Sequence, residues 1–322
     1  MDSILVTGGA GYIGSEVAAQ LIDLGFQVVI IDNLSTGERR RIPVGAAFYE
    51  CDISNQKELE HILDSHTFST VFHFAANKQA RESLLVPAKY WRNNVQKLIE
   101  FLEILKSREI ERFVFSSSCS VYGDVGVVQE NSTLNPVSPY GWSKFAGEEI
   151  CKDYAKEFSW KFVALRYFNV IGASPREFSG DYTSDCILPS MFRKFTSGGV
   201  FSIHGGDFPT RDGSAIRDYI SVMDVAAAHV ESLRLIDAGF QGAINVSSGK
   251  PISVYEIVSA FQEIMGSDFV FNIGERNLAD PSEVWGLPSA ILIESGWEIS
   301  QSFTEALNDH WKSFQEFYEN QR

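Results

Sequence analysis

A glycine-rich turn near the start of the chain constrains the fold more than any other feature. The apolar run Ile4–Thr7 leads directly into Gly8, Gly11 and Gly14, and an amphipathic segment follows. This order predicts a strand, a tight turn and a helix that begins at the turn. Glycines at these positions let the backbone approach a pyrophosphate closely at the helix N-terminus. The alternative is a tight strand–helix connection without a ligand.

The first half of the chain alternates β-branched runs with amphipathic segments. This rhythm is typical of βαβ units and of a parallel sheet. The predicted strands are Ile4–Thr7, Gln27–Asp32, Ala47–Cys51, Thr70–Ala75, Arg112–Ser116 and Phe162–Arg166, and the predicted helices are Tyr12–Leu24, Gln56–Ser65, Pro87–Lys106 and Pro139–Phe158.

The rhythm changes after Asn169. Residues 172–186 are rich in Gly, Ser, Pro and Asp and are predicted to form a loop, and residues 187–219 supply a helix and the strand Val200–Ile203. Helix Val222–Asp237 and strand Ala243–Val246 follow and return to the first sheet, and residues 248–322 carry two more helices and a little strand.

We therefore predict an α/β fold, a doubly wound parallel sheet of the Rossmann type with a smaller mixed α/β C-terminal lobe. A cofactor domain over residues 1–168 is expected to include 219–247, and the substrate lobe is expected over 169–218 and 248–322. The cleft between them is the expected site.

An acidic residue at the end of the second strand bears on the cofactor. Asp32 lies 18 residues after Gly14. A carboxylate there holds the ribose hydroxyls of a dinucleotide and repels a 2′-phosphate, which favours NAD over NADP. The run Arg39–Arg41 follows and is interpreted as a solvated loop, because Asn33 and Leu34 come directly after Asp32.

Tyr140 and Lys144 form a candidate catalytic pair, 22 residues or more after Ser118. Positions i and i+4 share one face of a helix, so both side chains are expected in one cleft. A free phenol has a pKa of about 10, and a nearby ammonium favours the phenolate and lowers that pKa. The pair is thus predicted to take a proton from a sugar hydroxyl.

Composition excludes several classes of partner. The net charge of −15 argues against nucleic acid and against anionic membranes. The four cysteines lack the spacing of a metal site, so no metal is expected. We expect reduced thiols in a cytoplasmic protein without a signal peptide, and no apolar run reaches the roughly 20 residues of a membrane span.

Several segments together resemble the extended short-chain dehydrogenase/reductase family, and within it the UDP-glucose (UDP-galactose) 4-epimerases. The segments lie within residues 4–224, about two-thirds of the chain; they read VTGGAGYIGS, IIDNLSTG, VFHFAANK, RNNV, FVFSSSCSVYGD, SPYGWSK, LRYFNVIGA and FPTRDGSAIRDYI. The last two are particularly specific. The C-terminal third matches only loosely.

The resemblance implies roles for individual residues. It assigns catalysis to Ser118, Tyr140 and Lys144, and a UDP-sugar as substrate. The residues implied to hold that substrate are Lys78, Ser118, Tyr140, Asn169, Arg217, Tyr219, Arg276 and Asp280. Those implied to hold NAD are Gly8, Gly11, Tyr12, Ile13, Gly14, Asp32, Asn33, Leu34, Ser35, Thr36, Gly37, Asp52, Ile53, Phe74, Ala75, Ala76, Lys78, Asn94, Ser116, Tyr140, Lys144 and Phe168.

Some of these residues have structural alternatives. Asp52 is also placed to cap a turn before the helix after Asn55, and Asn94 is also suited to a buried polar position in a helix. Arg217 is also suited to a surface ion pair with Asp218. A planar guanidinium suits diphosphate recognition, which favours the ligand role for Arg217.

The chain departs from the pattern of these epimerases at four places. Arg81 stands where a small residue is usual, and Cys186 replaces the usual His or Asn before a helix start. The C-terminal Arg-x-Gly-Asp motif appears only as the irregular segment 275–280, and Val284 replaces a bulkier aromatic of some members. These departures concern the sugar rather than the chemistry.

The residues after Ser118 separate the related reactions. Cys119 and Ser120 stand where 4,6-dehydratases carry an Asp-Glu pair, and neither serves readily as a carboxylic acid or base. We therefore predict an isomerase that catalyses the NAD-dependent epimerisation of a UDP-hexose (UDP-glucose/UDP-galactose) at C4, through a transient 4-keto sugar. We expect this enzyme to be a homodimer.

Three alternatives remain open at this stage. The first is a 4-epimerase of UDP-glucuronate, if Arg81 pairs with a hexuronate carboxylate rather than with Glu82. The second is a 4-epimerase of a UDP-N-acetylhexosamine. The third is an inactive NAD-binding regulatory protein, which the presence of both Tyr140 and Lys144 disfavours.

Overall fold

The computed structural model describes residues 3–266, 269–276 and 280–320. In these ranges the strands are β1 Ser3–Thr7, β2 Val28–Asp32, β3 Ala47–Glu50, β4 Phe68–His73, β5 Arg112–Ser118, β6 Gly126–Val128, β7 Lys161–Tyr167, β8 Asn169–Ile171, β9 Phe201–His204, β10 Ile216–Ser221, β11 Gly242–Val246, β12 Pro251–Ser253, β13 Phe271–Gly274 and β14 Glu283–Gly286.

The helices of the same ranges are α1 Tyr12–Asp23, α2 Gln56–Ser65, α3 Ala80–Leu85, α4 Pro87–Tyr90, α5 Lys97–Leu105, α6 Pro139–Phe158, α7 Ile187–Thr196, α8 Val222–Asp237, α9 Val254–Met265, α10 Ala290–Glu294 and α11 Phe303–Glu319. A π-helical turn, Trp91–Gln96, joins α4 to α5, and short 3₁₀ turns cover Arg39–Arg41 and Cys119–Val121.

A parallel sheet of seven strands, in the part of the chain described, organises the cofactor domain. The strand order is β11-β7-β5-β4-β1-β2-β3. The order reverses direction between β1 and β4, and such a switch point is where ligands of open α/β sheets bind. The loops after β1 and β4 therefore meet at the head of the crevice. β2 is buried along its whole length, as expected of a strand covered on both faces.

Two apolar layers hold helices on opposite faces of this sheet. One core combines the sheet with α2, α5 and α6 and includes Leu59, Phe101 and Cys151. The other core combines it with α1 and α8 and includes Val17 and Val225. The arrangement of three layers confirms the predicted doubly wound fold.

The second lobe has a core of its own, built from aromatic side chains of α7, α9 and α11. Phe192, Phe261 and Trp311 are central to it, with ring centroids 5.2 to 5.3 Å apart. Strand β10 forms the centre of a small sheet with β12, β14 and β8, and β14 pairs with β6. This sheet lies at the mouth of the cleft.

Local sequence accounts for the starts of the principal helices. Ser138 caps α6 by accepting a hydrogen bond from the backbone N–H of Gly141, and Pro139 occupies the first helical position. Ser253 with Glu256 and Ser302 with Glu305 form capping boxes that begin α9 and α11. The predicted start and end of α6 are confirmed.

Three expectations about elements need correction. The fourth strand ends at His73, not Ala75, because Phe74 and Ala75 turn away to form a loop over the crevice. The single helix expected over Pro87–Lys106 is divided into α4 and α5 by the π-helical turn. Helix α3, which comes before α4, was not predicted. A third helix, α10, also lies in residues 248–322 besides the two expected, within the described ranges.

Candidate active site

The glycine turn is shaped by close contact with the loop after β4. Gly8 has a φ of +73°, and a Cβ there would lie 2.6 Å from the backbone nitrogen of Ala75. A Cβ on Gly14 would lie 2.5 Å from the carbonyl oxygen of Gly8. Only glycine fits both positions. Gly11 is the N-cap of α1 and brings no side-chain cap, so the first-turn amides of Tyr12 and Ile13 have no capping side chain and suit an anion.

Asp32 lies at the carboxyl end of β2 with its carboxylate facing the glycine turn. Its oxygens accept hydrogen bonds from the backbone N–H groups of Ala10, at 3.0 Å, and Leu34, at 2.8 Å. Burial raises the pKa of Asp32, and these two hydrogen bonds oppose that rise. A carboxylate accepts about four hydrogen bonds, so positions remain for two ribose hydroxyls. Gly37 allows the carboxylate to fit, since a Cβ there would lie 2.8 Å from it.

The other residues predicted to hold the adenosine part of NAD lie on the loops next to Asp32. Leu34 has a φ of 53°, a conformation rare for a leucine and typical of functional loops. Asn33 donates a hydrogen bond to Asp52 at 2.7 Å, and Lys97 forms an ion pair with the same carboxylate. The Asp52 carboxylate also accepts a hydrogen bond from the backbone N–H of Ser54. Asp52 therefore caps the turn before α2 and also lies beside the crevice. Ser35, Thr36 and the buried Ile53 lie on the same loops.

The prediction of a solvated loop at residues 39–41 is confirmed for Arg39 and Arg40, which are exposed, and is wrong for Arg41, which is buried. Arg39 pairs with Glu50, and Arg40 and Arg41 both pair with Glu38. Arg41 is only 5% exposed. All three guanidinium groups therefore have carboxylate partners, which leaves Asp32 as the charge that faces a ribose and supports NAD over NADP.

Asn94 is held inside the site by the π-helical turn. Its side chain accepts from the backbone N–H of Asn77 at 2.8 Å and donates to the carbonyl oxygen of Asn77 at 2.9 Å. It also donates to the Ser143 hydroxyl at 3.0 Å. Asn94 therefore connects the loop Phe74–Lys78, which carries Ala75 and Ala76, to the helix of the catalytic pair. π-Helical turns occur often at functional sites.

The structure brings Ser118, Tyr140 and Lys144 together at the carboxyl end of β5. All three side chains are buried, with exposures of 7%, 8% and 4%. The Ser118 hydroxyl donates to Ser120 at 3.2 Å and is near enough to Tyr140 to lower the pKa of the phenol. Lys144 donates from Nζ to the backbone carbonyl oxygen of Ser116 at 2.6 Å. The predicted convergence on one cleft is confirmed in geometry, while the assignment of these residues to catalysis stays a prediction.

The prediction that Lys144 lowers the pKa of Tyr140 is wrong for the protein without a bound cofactor. Burial raises the pKa of Tyr140 to about 12, and the hydrogen bond from Ser118 and the charge of Lys78 only partly offset that rise. Burial also lowers the pKa of Lys144 to about 8. The physical reason is desolvation, which disfavours both charged forms and which sequence spacing does not reveal.

A buried ion pair beneath the catalytic groups was not found from the sequence. Glu148, one turn after Lys144, binds both Nε and Nη2 of Arg166 on β7, with Nη2 at 2.6 Å. Their side chains are 5% and 6% exposed. Ser117 donates to Glu148, and Tyr122 accepts from Arg166 at 3.1 Å. This arrangement joins β7 to β5 and α6, the two elements that carry the candidate catalytic residues.

The predicted sugar-binding residues lie on β8 and β10. The sheet register pairs Asn169 directly with Tyr219, and their side chains are hydrogen-bonded. Arg217 donates to the carbonyl oxygens of Ile216, at 2.8 Å, and Pro281, at 2.6 Å. The ion pair between Arg217 and Asp218 is excluded, because the fully buried Asp218 accepts from Ser248 and Gly249 instead.

Three further predicted positions complete this side of the cleft. Phe168 is buried beside Val284, Val121 and Tyr122. Asp280 is near enough to Tyr219 to raise its pKa. The guanidinium of Arg276 lies 4.1 Å from the ring centre of Phe208. The central residues of the irregular motif, 277–279, lie outside the described residues.

Of the two residues that depart from the family pattern, Arg81 lies on the surface and Cys186 lies at the cleft. Arg81 is exposed on α3, and Glu82 does not pair with it but binds Lys89 and Tyr90. Cys186 precedes α7, and its thiol is near enough to Lys78, Tyr140 and Tyr219 to affect their pKa values. Cys186 therefore belongs to the cleft. Of the four thiols, only Cys51 and Cys151 are buried.

A second ion pair missed by the sequence crosses the cleft. Lys78 donates to Asp181 at 2.8 Å, and Asp181 is only 7% exposed. Burial is the largest effect and by itself would lower the pKa of Lys78, but the charges of Asp181 and Cys186 and the hydrogen bond with Asp181 together outweigh it and raise that pKa. The Lys78 ammonium also lies 5.6 Å from the ring centre of Tyr12. No sequence signal marked Asp181, since it lies within a polar loop.

Across the described ranges, no cluster of His, Cys, Asp and Glu is arranged to hold a metal ion. Over the same ranges, no helix has both the length and the apolar character needed to cross a membrane.

Comparison with known proteins shows the family of the chain. Residues 4–247 match the model of the NAD dependent epimerase/dehydratase family. The chain is 37% identical to a UDP-glucose 4-epimerase of Erwinia amylovora, over 96% of each protein. The structure is similar to UDP-glucose-4-epimerase of Stenotrophomonas maltophila with bound NAD and formylated UDP-arabinopyranose, with a TM-score of 0.91 and 30% identity over 99% of this chain and 100% of that one. It also resembles the UDP-Glc/GlcNAc 4-epimerase of Campylobacter jejuni, with a TM-score of 0.84 and 29% identity over 98% and 100%.

Proposed function

The chain belongs to the NAD dependent epimerase/dehydratase family, and on that premise we propose that it epimerises UDP-hexoses at C4. UDP-glucose and UDP-galactose are the proposed pair, interconverted through a transient 4-keto sugar. The observation that carries the proposal is the convergence of Ser118 and Tyr140 in a buried cleft that also holds Lys144. The identity of 37% with a UDP-glucose 4-epimerase over nearly the whole chain supports the same substrate.

The chain's own residues account for the movement of the proton. Tyr140 in its phenolate form takes the proton of the 4-hydroxyl, and Ser118 donates a hydrogen bond to the oxygen at C4. Before the sugar binds, the Ser118 hydroxyl instead favours the phenolate and lowers the pKa of Tyr140, since its single proton is donated to one oxygen at a time. When the 4-keto sugar has turned over in the pocket, Tyr140 returns the proton to the same oxygen.

The residues around the crevice fit a dinucleotide. The uncapped N-terminus of α1 suits a pyrophosphate, and Asp32 suits the adenosine ribose. The Lys144 ammonium has three N–H donors, of which Ser116 takes one, so two remain for the nicotinamide ribose. Bound NAD, with its cationic ring, would supply the acceptor and then the donor of the hydride at C4.

The residues beside Ser118 distinguish epimerisation from dehydration. Ser120 shares hydrogen bonds with Ser118, and burial raises the pKa of Cys119 to about 12. Neither side chain is an acid or a base near neutral pH, so neither is suited to move the protons at C5 and C6. Epimerisation needs no second acid or base and consumes no cofactor.

A second sugar is favoured by the comparison with one similar protein. The similar protein of Campylobacter jejuni is a UDP-Glc/GlcNAc 4-epimerase. UDP-N-acetylhexosamine is therefore the second candidate. Val284, which replaces a bulkier aromatic of some epimerases, is buried against Phe168 and Tyr122 and does not itself distinguish the sugars. Arg81 gives UDP-glucuronate no comparable support, because it is exposed on α3.

The test is an assay of the purified protein with a panel of UDP-sugars and no added reductant. Interconversion of UDP-glucose and UDP-galactose, from either side to the same ratio, is the expected result. Turnover of UDP-N-acetylglucosamine in addition would support the second candidate. If none of the panel is converted while NAD is bound, the protein is the inactive NAD-binding alternative.

We also propose that the protein forms a homodimer through α5 and α6. Trp91 and Ile99 are 42% and 38% exposed next to Val95, and Trp142 and Phe158 are exposed on α6. Trp91, Val95 and Ile99 share one apolar surface, and exposed apolar surfaces of this kind are typical of interfaces. Ile99→Glu is expected to yield a monomer in light scattering, whereas Val200→Glu, a change at an exposed residue elsewhere, leaves the dimer intact.

We propose that the dimer works in the cytoplasm. All four cysteines, Cys51, Cys119, Cys151 and Cys186, are free thiols. Free thiols are typical of a reducing compartment.

A further inference from the structure

The loop 172–186 runs across the mouth of the proposed NAD crevice, and we call it the strap. At its start, the Tyr12 hydroxyl donates to the carbonyl oxygen of Gly172 at 2.7 Å. Arg176 donates to Glu16 at 2.7 Å and to the carbonyl oxygen of Ser15 at 3.2 Å. Tyr12, Ser15 and Glu16 all belong to the first turns of α1. The strap is therefore fixed to the helix whose N-terminus suits a pyrophosphate.

The middle of the strap is held by the loop after β2. The guanidinium of Arg40 lies 4.6 Å from the ring centre of Phe178, and that of Arg41 lies 5.2 Å from the ring centre of Tyr182. Phe178 has a φ of 58°, so its backbone is held in an unfavourable conformation. The contacts to α1 and to this loop lie on two sides of the ribose and pyrophosphate positions.

The far end of the strap is fastened to the loop after β4 by the ion pair of Lys78 and Asp181. Asp181 lies in a rigid setting, because Ser184 donates to its carboxylate at 2.7 Å and His310 binds its carbonyl oxygen at 2.7 Å. His310, on α11, also accepts from the N–H of Gly172. Thus the strap reaches all three loops that frame a dinucleotide at the switch point of the sheet.

We propose that the strap retains the bound dinucleotide and that Asp181 is a positioning residue which fastens it through Lys78. The inference rests on the proposed function only in that NAD occupies this crevice. Release of NAD requires the strap to leave α1 or the loop after β4. An epimerase that restores its cofactor in every cycle has no need to release it, so a fastened strap suits that reaction.

The experiment measures the exchange of bound NAD for excess isotopically labelled NAD in the full-length protein, followed on rapid desalting columns. Asp181→Asn removes the charge that holds Lys78, and Arg176→Met removes the tie to α1. Each is expected to accelerate exchange by about 10-fold, the equivalent of about 1.4 kcal/mol. With saturating NAD, Arg176→Met is expected to keep kcat within about twofold, since it lies outside the sites of chemistry and sugar binding.

Asp185→Asn is the matched control. It makes the same chemical change in the same loop, but Asp185 pairs with Arg193 at 3.3 Å and its side chain is 86% exposed. Its exchange rate is expected to equal that of the wild type. Equal rates in the wild type and in both strap variants would overturn the inference and leave the proposed function intact. Absence of NAD binding by the wild type would overturn both.

Discussion

Lys144 donates from Nζ to the backbone carbonyl oxygen of Ser116 at 2.6 Å, so its ammonium is tied to the end of β5. Tyr140, one helical turn earlier, lies instead near Ser118, which lowers the pKa of the phenol. The two members of the catalytic pair are thus positioned by different ends of one strand segment, Ser116–Ser118. Lys144 is therefore placed to bind a ribose, while Ser118 is placed to lower the pKa of the Tyr140 phenol.

Tyr140→Phe is expected to lower kcat by about 10²-fold or more, because the general base is lost. The fold and the bound NAD should remain, since the ring stays packed against Tyr90 at a centroid distance of 6.3 Å. Steady-state kinetics and the amount of NAD released on denaturation measure both effects. Tyr154→Phe, the same change on the outer face of α6, should behave as the wild type. Undiminished kcat in Tyr140→Phe would remove Tyr140 from the chemistry.

Ser118→Ala is expected to move the acidic limb of the kcat profile to higher pH. The active form is the phenolate, and the hydrogen bond from Ser118 lowers the pKa of Tyr140, so its loss raises that pKa. A hydrogen bond to a charged group contributes about 1.5–3 kcal/mol, which corresponds to about one to two pH units. Ser120→Ala keeps Ser118 and should leave the limb in place. A limb at the same pH in Ser118→Ala would contradict the account.

Glu148→Ala is expected to reduce the free energy of unfolding by about 3–5 kcal/mol, because it leaves the buried Arg166 without its partner. Urea denaturation gives the value. The adjacent Glu149→Ala is the control: its pair with Lys152 is 3.6 Å long and exposed, so the loss should be about 1 kcal/mol or less. Similar losses in the two variants would show that the buried pair does not support the catalytic elements.

Arg217→Ala is expected to raise KM for the UDP-sugar by about 10-fold to 100-fold, the equivalent of one charge-assisted hydrogen bond. Part of the effect comes from the loop at Pro281, which Arg217 holds by a hydrogen bond of 2.6 Å. Arg211→Ala, which removes an exposed pair with Glu256, should leave KM unchanged. A normal KM in Arg217→Ala would restrict Arg217 to a structural role.

The sequence predicted the sheet and its helices well, because periodicity and glycines report local structure. Helices Gln56–Ser65, Pro139–Phe158 and Val222–Asp237 have the predicted bounds. The π-helical turn at Trp91–Gln96 was missed, since its residues have an ordinary helical pattern and only the contacts of Asn94 reveal it. The end of β4 was misplaced because Phe74 leaves the strand to pack on His229.

Within the site, the sequence predicted which residues meet but not their ionisation. Tyr140 and Lys144 share a cleft as their spacing requires, yet desolvation sets both pKa values. Ion pairs between distant segments, such as that of Lys78 and Asp181, lie 103 residues apart in the chain and have no local signal. The same is true of Arg41, which its neighbours in sequence suggested was solvated and which is buried under the strap.

The most direct test of the central claim follows the hydrogen at C4. UDP-galactose that carries deuterium at C4 is incubated with the purified protein in ordinary water, and the UDP-glucose formed is analysed by NMR and mass spectrometry. Removal and return of the same hydrogen at one carbon predicts that the product keeps its deuterium at C4, with no hydrogen gained from solvent. Loss of the deuterium to solvent, or its appearance at C6, would contradict C4 epimerisation through a 4-keto sugar.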